Sequence, residues 1–385
     1  MLAPTLMIAP AIMLSQAARD QRTAPTYTVL HSFTGADGEQ PYAPVIRDSA
    51  GNFYGTTWIG GANNLGAVYK LTATGEEKVL FSFTGTDNGD NPWAGVVRDS
   101  AGNLYGTANH GSPVGTGSVY KLSSSGKLTM LHVFGPWNGT DGAWPQAGLL
   151  RDSAGNLIGT TWQGGGFPWC GAVYKVESSG TETVLHGFAG GATDGCYPYA
   201  SPISSSGSLY GTTWHGGYGG DCCAGYGVVY KIDASNQETV LYKFTGGEDG
   251  SNPAAGVILD PAGNILSTTY YGGTSGCGVV FKLNTSGTET VLHSFTGTDG
   301  CNPLAGVLSY SGNLYGTTYY GGAYGYGVVY KIDASGKETV LHSFTGGADG
   351  GNPIAALIND SAGNLYGTAE NGGANGAGVV FKLTP

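Results

Sequence analysis

One block, Asn-Leu-Tyr-Gly-Thr-Thr and its close variants, returns seven times along the chain, and this repetition constrains the fold more than any other feature. Its Gly-Thr or Ser-Thr step falls at Gly55, Gly106, Gly159, Gly211, Ser267, Gly316 and Gly367. The period is about 52 residues, within the range of stacked or radial repeat units. No segment of the array carries the 3.6-residue apolar spacing of a helical solenoid. Short apolar stretches between Gly-rich turns point instead to the blades of a propeller.

Each unit offers four short strands. The first follows a proline, as in Pro92-Trp93-Ala94-Gly95-Val96-Val97, and the second is of the Leu104-Tyr105-Gly106-Thr107 type. The third is of the Gly227-to-Lys231 type and the fourth of the Thr290-to-Phe295 type. All are rich in β-branched and aromatic residues and bounded by turn formers such as Asp48-Ser49-Ala50-Gly51-Asn52. The array begins on a fourth-type strand, Thr28 to Phe33, and ends on a third-type strand, Gly378 to Leu383. The fold class expected is therefore all-β: a seven-bladed β-propeller closed by the N-terminal strand pairing with the C-terminal strands. Such closure removes the two exposed sheet edges that an open array would leave.

A chain of 385 residues usually divides into domains, but a closed array can hold that length as one, because each unit buries its face on its neighbours. The 70 glycines and 17 prolines do not signal disorder here: only 11% of residues are charged and 40% are hydrophobic. Met1 to Ala18 is apolar, too short to span a bilayer and ends in small residues, as a secretory leader does. The expected division is a leader and tail at 1–24 and the propeller at 25–385. A net charge of −11, with 16 Lys and Arg thinly spread, argues against nucleic acid or an anionic membrane as partner.

The blocks Gly-Val-Val-Phe-Lys-Leu, Leu-His-Ser-Phe-Thr-Gly and Asn-Leu-Tyr-Gly-Thr-Thr together resemble the GloVer tandem repeat of predicted secreted bacterial proteins, over roughly residues 27 to 385. The resemblance implies an extracellular bacterial propeller and supplies no catalytic residues. Members often carry a C-terminal surface anchor, whereas Pro385 here follows directly on the last strand.

In a four-stranded blade, the loop between strands two and three shares a face with the link from strand four to the next blade. The turns of the opposite face are short and nearly uniform, so variation, and with it function, is expected on the first face. All seven tryptophans (Trp58, Trp93, Trp137, Trp144, Trp162, Trp169 and Trp214) fall in or beside those segments. The position after Gly-Thr-Thr reads Trp58, Asn109, Trp162, Trp214, Tyr270, Tyr319 and Glu370, and the next reads Ile59, His110, Gln163, His215, Tyr271, Tyr320 and Asn371. Aromatic bodies beside polar tips suit sugar rings, whose C–H faces stack while their hydroxyls are bonded. The expected ligand residues are Trp58, Trp93, Trp144, Trp162, Trp214, His110, His215, Tyr270, Tyr319 and Glu370. Packing between blades is the competing role for the first of these columns.

His31, His132, His186, His293 and His342 share a fourth-strand slot with Phe81 and Tyr242, which marks it as a packing slot. No metal or cofactor is expected. The Asp-Gly steps at Asp37, Asp141, Asp194, Asp249, Asp299 and Asp349, with Asn88 once, read as tight turns. Six cysteines in an exported chain suggest disulfides. The repeat makes Cys170–Cys196 and Cys277–Cys301 equivalent pairs. Cys222 and Cys223 remain, as a strained vicinal bridge or as thiols.

These features favour a secreted, monomeric module that binds a glycan or similar polar ring-containing ligand. A cell-surface protein scaffold and an extracellular polysaccharide hydrolase or lyase are the alternatives. For catalysis the ionisable residues that break the repeat are Glu370, Asp221, His215, His110 and Glu39, and no known catalytic motif accompanies them.

Overall fold

The computed structural model describes residues 24–85, 88–111, 114–166, 169–220 and 223–385, so the leader expected at 1–24 lies almost wholly outside the described residues. Seven four-stranded antiparallel sheets succeed one another, and the described residues contain no helix. Blade one runs through Ile46–Arg47, Phe53–Thr57, Ala67–Leu71 and Glu77–Ser82 in simple meander order. Blades two to six follow at 97–133, 150–187, 203–243, 258–294 and 308–343.

Blade seven takes three strands from the C-terminus, Ile358–Asn359, Leu365–Ala369 and Val379–Thr384, and its fourth from the N-terminus, Thr26–Ser32. The pairing runs from Thr26 with Thr384 to Ser32 with Val379 and slips between Val29 and His31. Blade one has the same irregularity between its third and fourth strands, at Val68 and Tyr69. The N-terminal strand therefore fills a fourth-strand place in native register, and the ring is closed as the phase of the repeat predicts.

The third strand of each blade is buried on both faces, as Val228, Val229 and Tyr230 illustrate at zero exposure. Its tyrosine crosses over the glycine of the Gly-Thr-Thr block. A Cβ placed on Gly55 would sit 2.5 Å from the Tyr69 hydroxyl, so close approach, rather than backbone freedom, requires glycine there. Blade five carries Ser267 at this position, paired with Phe281, which has no hydroxyl.

A threonine of the same block latches each blade to the next. Thr56 Oγ1 donates to the Ala94 carbonyl at 2.8 Å, Thr212 to Ala255 at 2.8 Å and Thr268 to Ala305 at 3.0 Å. The latch from Thr368 to the Ala43 carbonyl, at 3.1 Å, carries the pattern across the ring junction. These hydroxyls are buried and satisfied, so each contributes about 1 kcal/mol.

Candidate functional site

The loop between strands two and three and the preceding link meet in backbone pairs around one face. Examples are Glu39 with Ile59, Asp90 with His110, Ser251 with Tyr271, Cys301 with Tyr320 and Gly351 with Asn371. This brings every segment that holds a tryptophan onto the same rim. In each link the residue before the proline (Gln40, Asn91, Trp144, Tyr197, Asn252, Asn302 or Asn352) has a positive φ between 50° and 60°. Asparagine tolerates that region and here also donates to a neighbouring backbone: Asn252 Nδ2 bonds the Trp214 carbonyl and Asn302 Nδ2 the Tyr270 carbonyl. Trp144 and Tyr197 have no such tolerance, so their backbones are locally strained.

At the centre of this face lies a bowl of roughly 520 Å³, within the range of small-molecule sites. Tyr42, Trp93, Trp162, Tyr199, Trp214, Tyr270, Tyr271, Tyr319 and Tyr320 form its aromatic wall, with Leu304, Ile354 and Glu370. The rings support one another: Tyr42 and Trp93 meet at 4.8 Å, Trp214 and Tyr270 at 5.5 Å, Tyr199 and Trp214 at 5.9 Å, and Tyr319 and Tyr320 at 4.5 Å. Below, the bowl opens into a central channel ringed by small residues such as Ala43, Ala147 and Ala255.

Glu370 is the charged residue of the bowl among the described lining residues, and it is only 7% exposed. Its Oε1 accepts a hydrogen bond from the Tyr42 hydroxyl at 3.2 Å. Its Oε2 is buried with no hydrogen bond of good geometry, although the Tyr319 hydroxyl and the Asn371 amide lie near enough to favour the charged carboxylate. Burial outweighs that help and raises the acid's pKa. Burial also raises the Tyr199 and Tyr270 hydroxyls, each to about 12, and neighbouring tyrosines add to this.

Six of the ten expected ligand residues line the bowl: Trp93, Trp162, Trp214, Tyr270, Tyr319 and Glu370. The other four lie off its wall. Trp58 stacks behind Tyr42 at 5.2 Å and supports it. Trp144 is taken up by the strained link, where its amide bonds the Thr116 carbonyl. His110 is exposed outside the bowl, and His215 turns its Nδ1 to the Gly225 carbonyl at 3.1 Å. Both histidines make the same rim backbone pairs as Tyr271 and Tyr320, which do line the bowl, so the pairing alone does not select which side chains reach it. Asp221 lies outside the described residues, and Glu39 does not line the bowl. Tyr42 and Tyr199 were missed. They share the column after the proline with Trp93 (Tyr42, Trp93, Gln146, Tyr199, Ala254, Leu304 and Ile354), and reading that column whole finds them.

The cysteines divide. Cys277 and Cys301 form the expected disulfide. Among the described residues the equivalent Cys170–Cys196 bond is not formed, which corrects that expectation. Both residues are fully buried in one cluster, against which Cys223 and Tyr197 pack, and Cys223 Sγ lies 3.1 Å from the Tyr197 hydroxyl. The long loop of blade four thus adds a third cysteine to a place that holds two in blade five. Cys222, and with it the vicinal bridge, lies outside the described residues.

The histidine slot is more than packing. His31, His132, His186, His293 and His342 each bond the Asp of the following turn, at 3.0 to 3.3 Å, and Tyr242 bonds Asp249 in the same way. A glutamate of the next blade faces most of these pairs. Where the slot holds Phe81, the turn holds Asn88 and the glutamate position holds Leu128, so the three ionisable groups are lost together. In three trios, His132/Asp141/Glu182, His186/Asp194/Glu238 and His293/Asp299/Glu338, the ligating atoms lie within 4.8 Å of one another, a donor set of the kind divalent cations take.

Burial, then the neighbouring aspartate, pushes Glu77, Glu182, Glu238, Glu289 and Glu338 each up to about 7 from 4.5. Their folded state holds protons that the unfolded chain releases, so they favour the fold at low pH and lose that contribution as pH rises from about 4.5 to about 7. His342, lowered by burial despite Asp349, opposes this as a single group. The melting temperature is expected to be higher at pH 5 than at pH 8, and Gln at the five glutamates to flatten the difference. A midpoint that climbs over this interval contradicts the assignment.

Residues 19–224 and 218–385 match the Gloeobacter/Verrucomicrobia repeat. No curated protein matches the sequence. Among solved structures the chain is similar to streptogramin B lyase, with 14% identity, a TM-score of 0.60 and coverage of 94% of this chain and 97% of that one. It is also similar to the extracellular domain of a hybrid two-component system from B. thetaiotaomicron, with 15% identity, a TM-score of 0.57 and coverage of 94% and 42%. A puromycin hydrolase complexed with PGG gives 15% identity, a TM-score of 0.54 and coverage of 87% and 51%. At these identities the likeness establishes the propeller fold and nothing finer. Among the described residues no helix is long and apolar enough to cross a membrane.

Proposed function

From the premise that this chain belongs to the Gloeobacter/Verrucomicrobia repeat family, we propose that it is a secreted binding protein whose central bowl takes a glycan or similar polar ring-containing ligand. The observation that carries this reading is the continuous wall of Trp and Tyr rings around a concave site of small-molecule size. Such rings stack on the C–H faces of sugars, and tyrosine hydroxyls can bond at the edges. A disulfide between Cys277 and Cys301 suits an oxidising, extracellular compartment.

Two features favour binding over the alternatives. A polysaccharide hydrolase generally uses a pair of carboxylates, whereas the described lining offers one among tyrosines. A protein scaffold would use a broad exposed surface, whereas the aromatic wall here is concave and central. Titration of a panel of soluble oligosaccharides, followed by tryptophan fluorescence, tests the reading. Saturable quenching by at least one of them is expected. A panel that leaves the emission unchanged sinks it.

A further inference from the structure

Glu370 occupies a repeat column where the other six blades carry Trp58, Asn109, Trp162, Trp214, Tyr270 and Tyr319. Those blades build the same sheet, latch and rim without an acid, so the fold does not require one in the seventh. The acid is nonetheless buried, and its Oε2 is left without a hydrogen bond of good geometry. No Lys or Arg lines the bowl or the channel beneath it among the described residues, so no cation of the protein neutralises it.

Its surroundings deepen the mismatch. Aromatic rings present a negative face, which repels a carboxylate and attracts a cation. A buried acid among tyrosine and tryptophan rings is therefore poorly solvated alone and well matched to a positive group seated between acid and rings.

We propose that the bowl recognises an organic ammonium group, seated against Glu370 and enclosed by Tyr42, Tyr319, Tyr270 and Trp93. This rests on the reading of the bowl as a ligand site and narrows its ligand to one carrying a cationic nitrogen on or beside its ring. The charge can come from a quaternary ammonium or from the primary amine of an amino sugar. Anionic sugars and phosphates are disfavoured, because they would meet the carboxylate directly.

The test compares matched pairs by calorimetry or tryptophan quenching: choline against 3,3-dimethylbutan-1-ol, and glucosamine trimer against N-acetylglucosamine trimer. At least one cation is expected to bind about tenfold more tightly than its neutral partner. The pair that shows the preference identifies the source of the charge. Glu370→Gln, which retains an acceptor for the Tyr42 hydroxyl, is expected to abolish the preference, the cationic compounds falling to the level of their neutral partners.

Equal binding within both pairs, or a preference that survives Glu370→Gln, overturns the charge recognition while leaving the bowl as a binding site. Equal weakening of cationic and neutral compounds by Glu370→Gln assigns the residue to holding Tyr42 and overturns the proposal as well. Absence of binding by all four compounds and by the oligosaccharide panel removes the bowl itself.

Discussion

Phe33→Ala is expected to lower the free energy of unfolding by about 3–5 kcal/mol, the range for truncating a fully buried aromatic ring. Phe33 follows the N-terminal strand, has no exposed surface and meets Tyr69 of blade one edge to face at 5.0 Å. Its core cluster joins Val380 and Tyr366 of blade seven to Val45 and Phe53 of blade one, so the cavity would open beside the seam where the N-terminal strand pairs with the C-terminal one. Equivalent phenylalanines, such as Phe244 and Phe295, lie within the continuous chain. Urea denaturation of Phe33→Ala beside Phe295→Ala measures the difference. The seam variant is expected to lose at least as much stability and also to unfold faster, because loss of that strand frees two sheet edges. A seam variant as stable as the wild type contradicts closure by the N-terminal strand.

Trp214→Ala is expected to weaken ligand binding by about 30- to 100-fold, as removal of a central aromatic anchor does. Trp214 sits between Tyr199 and Tyr270 and also touches Tyr271 at 6.4 Å, so its loss removes one stacking surface and loosens three others. Trp137→Ala is the control. That indole is 45% exposed and packs on Trp169 at the outer rim, away from the bowl. Titration of both variants with whichever oligosaccharide quenches the wild type separates bowl from rim. Equal losses in the two would move the site off the axis.

The repeat determined much of this protein by itself. A sevenfold block, short strands and a mismatched phase at the termini leave few ways to bury every apolar face, and closure through Thr26–Ser32 follows from them. The shared face of links and loops was equally legible, because strand alternation fixes which connections lie together. Glu370 stood out as the acid that breaks its column.

What only the tertiary structure decided is which residues of that face converge. Trp144, His110 and His215 lie on the same rim as Trp162 and Trp214 but off the bowl wall, while Tyr271 and Tyr320, in the same column as the two histidines, line it, because a repeat column does not encode side-chain direction. Tyr42 and Tyr199 enter from the segments that lead into the first strands of their blades, Ile46–Arg47 and Ile203–Ser205, beside the channel. The His–Asp–Glu groups became visible only when adjacent blades were set side by side, since the glutamate lies a full repeat away from its partners. Sequence spacing sets the contacts within a blade, whereas the geometry of the closed ring sets those between blades and at the axis, and the candidate site is made of the latter.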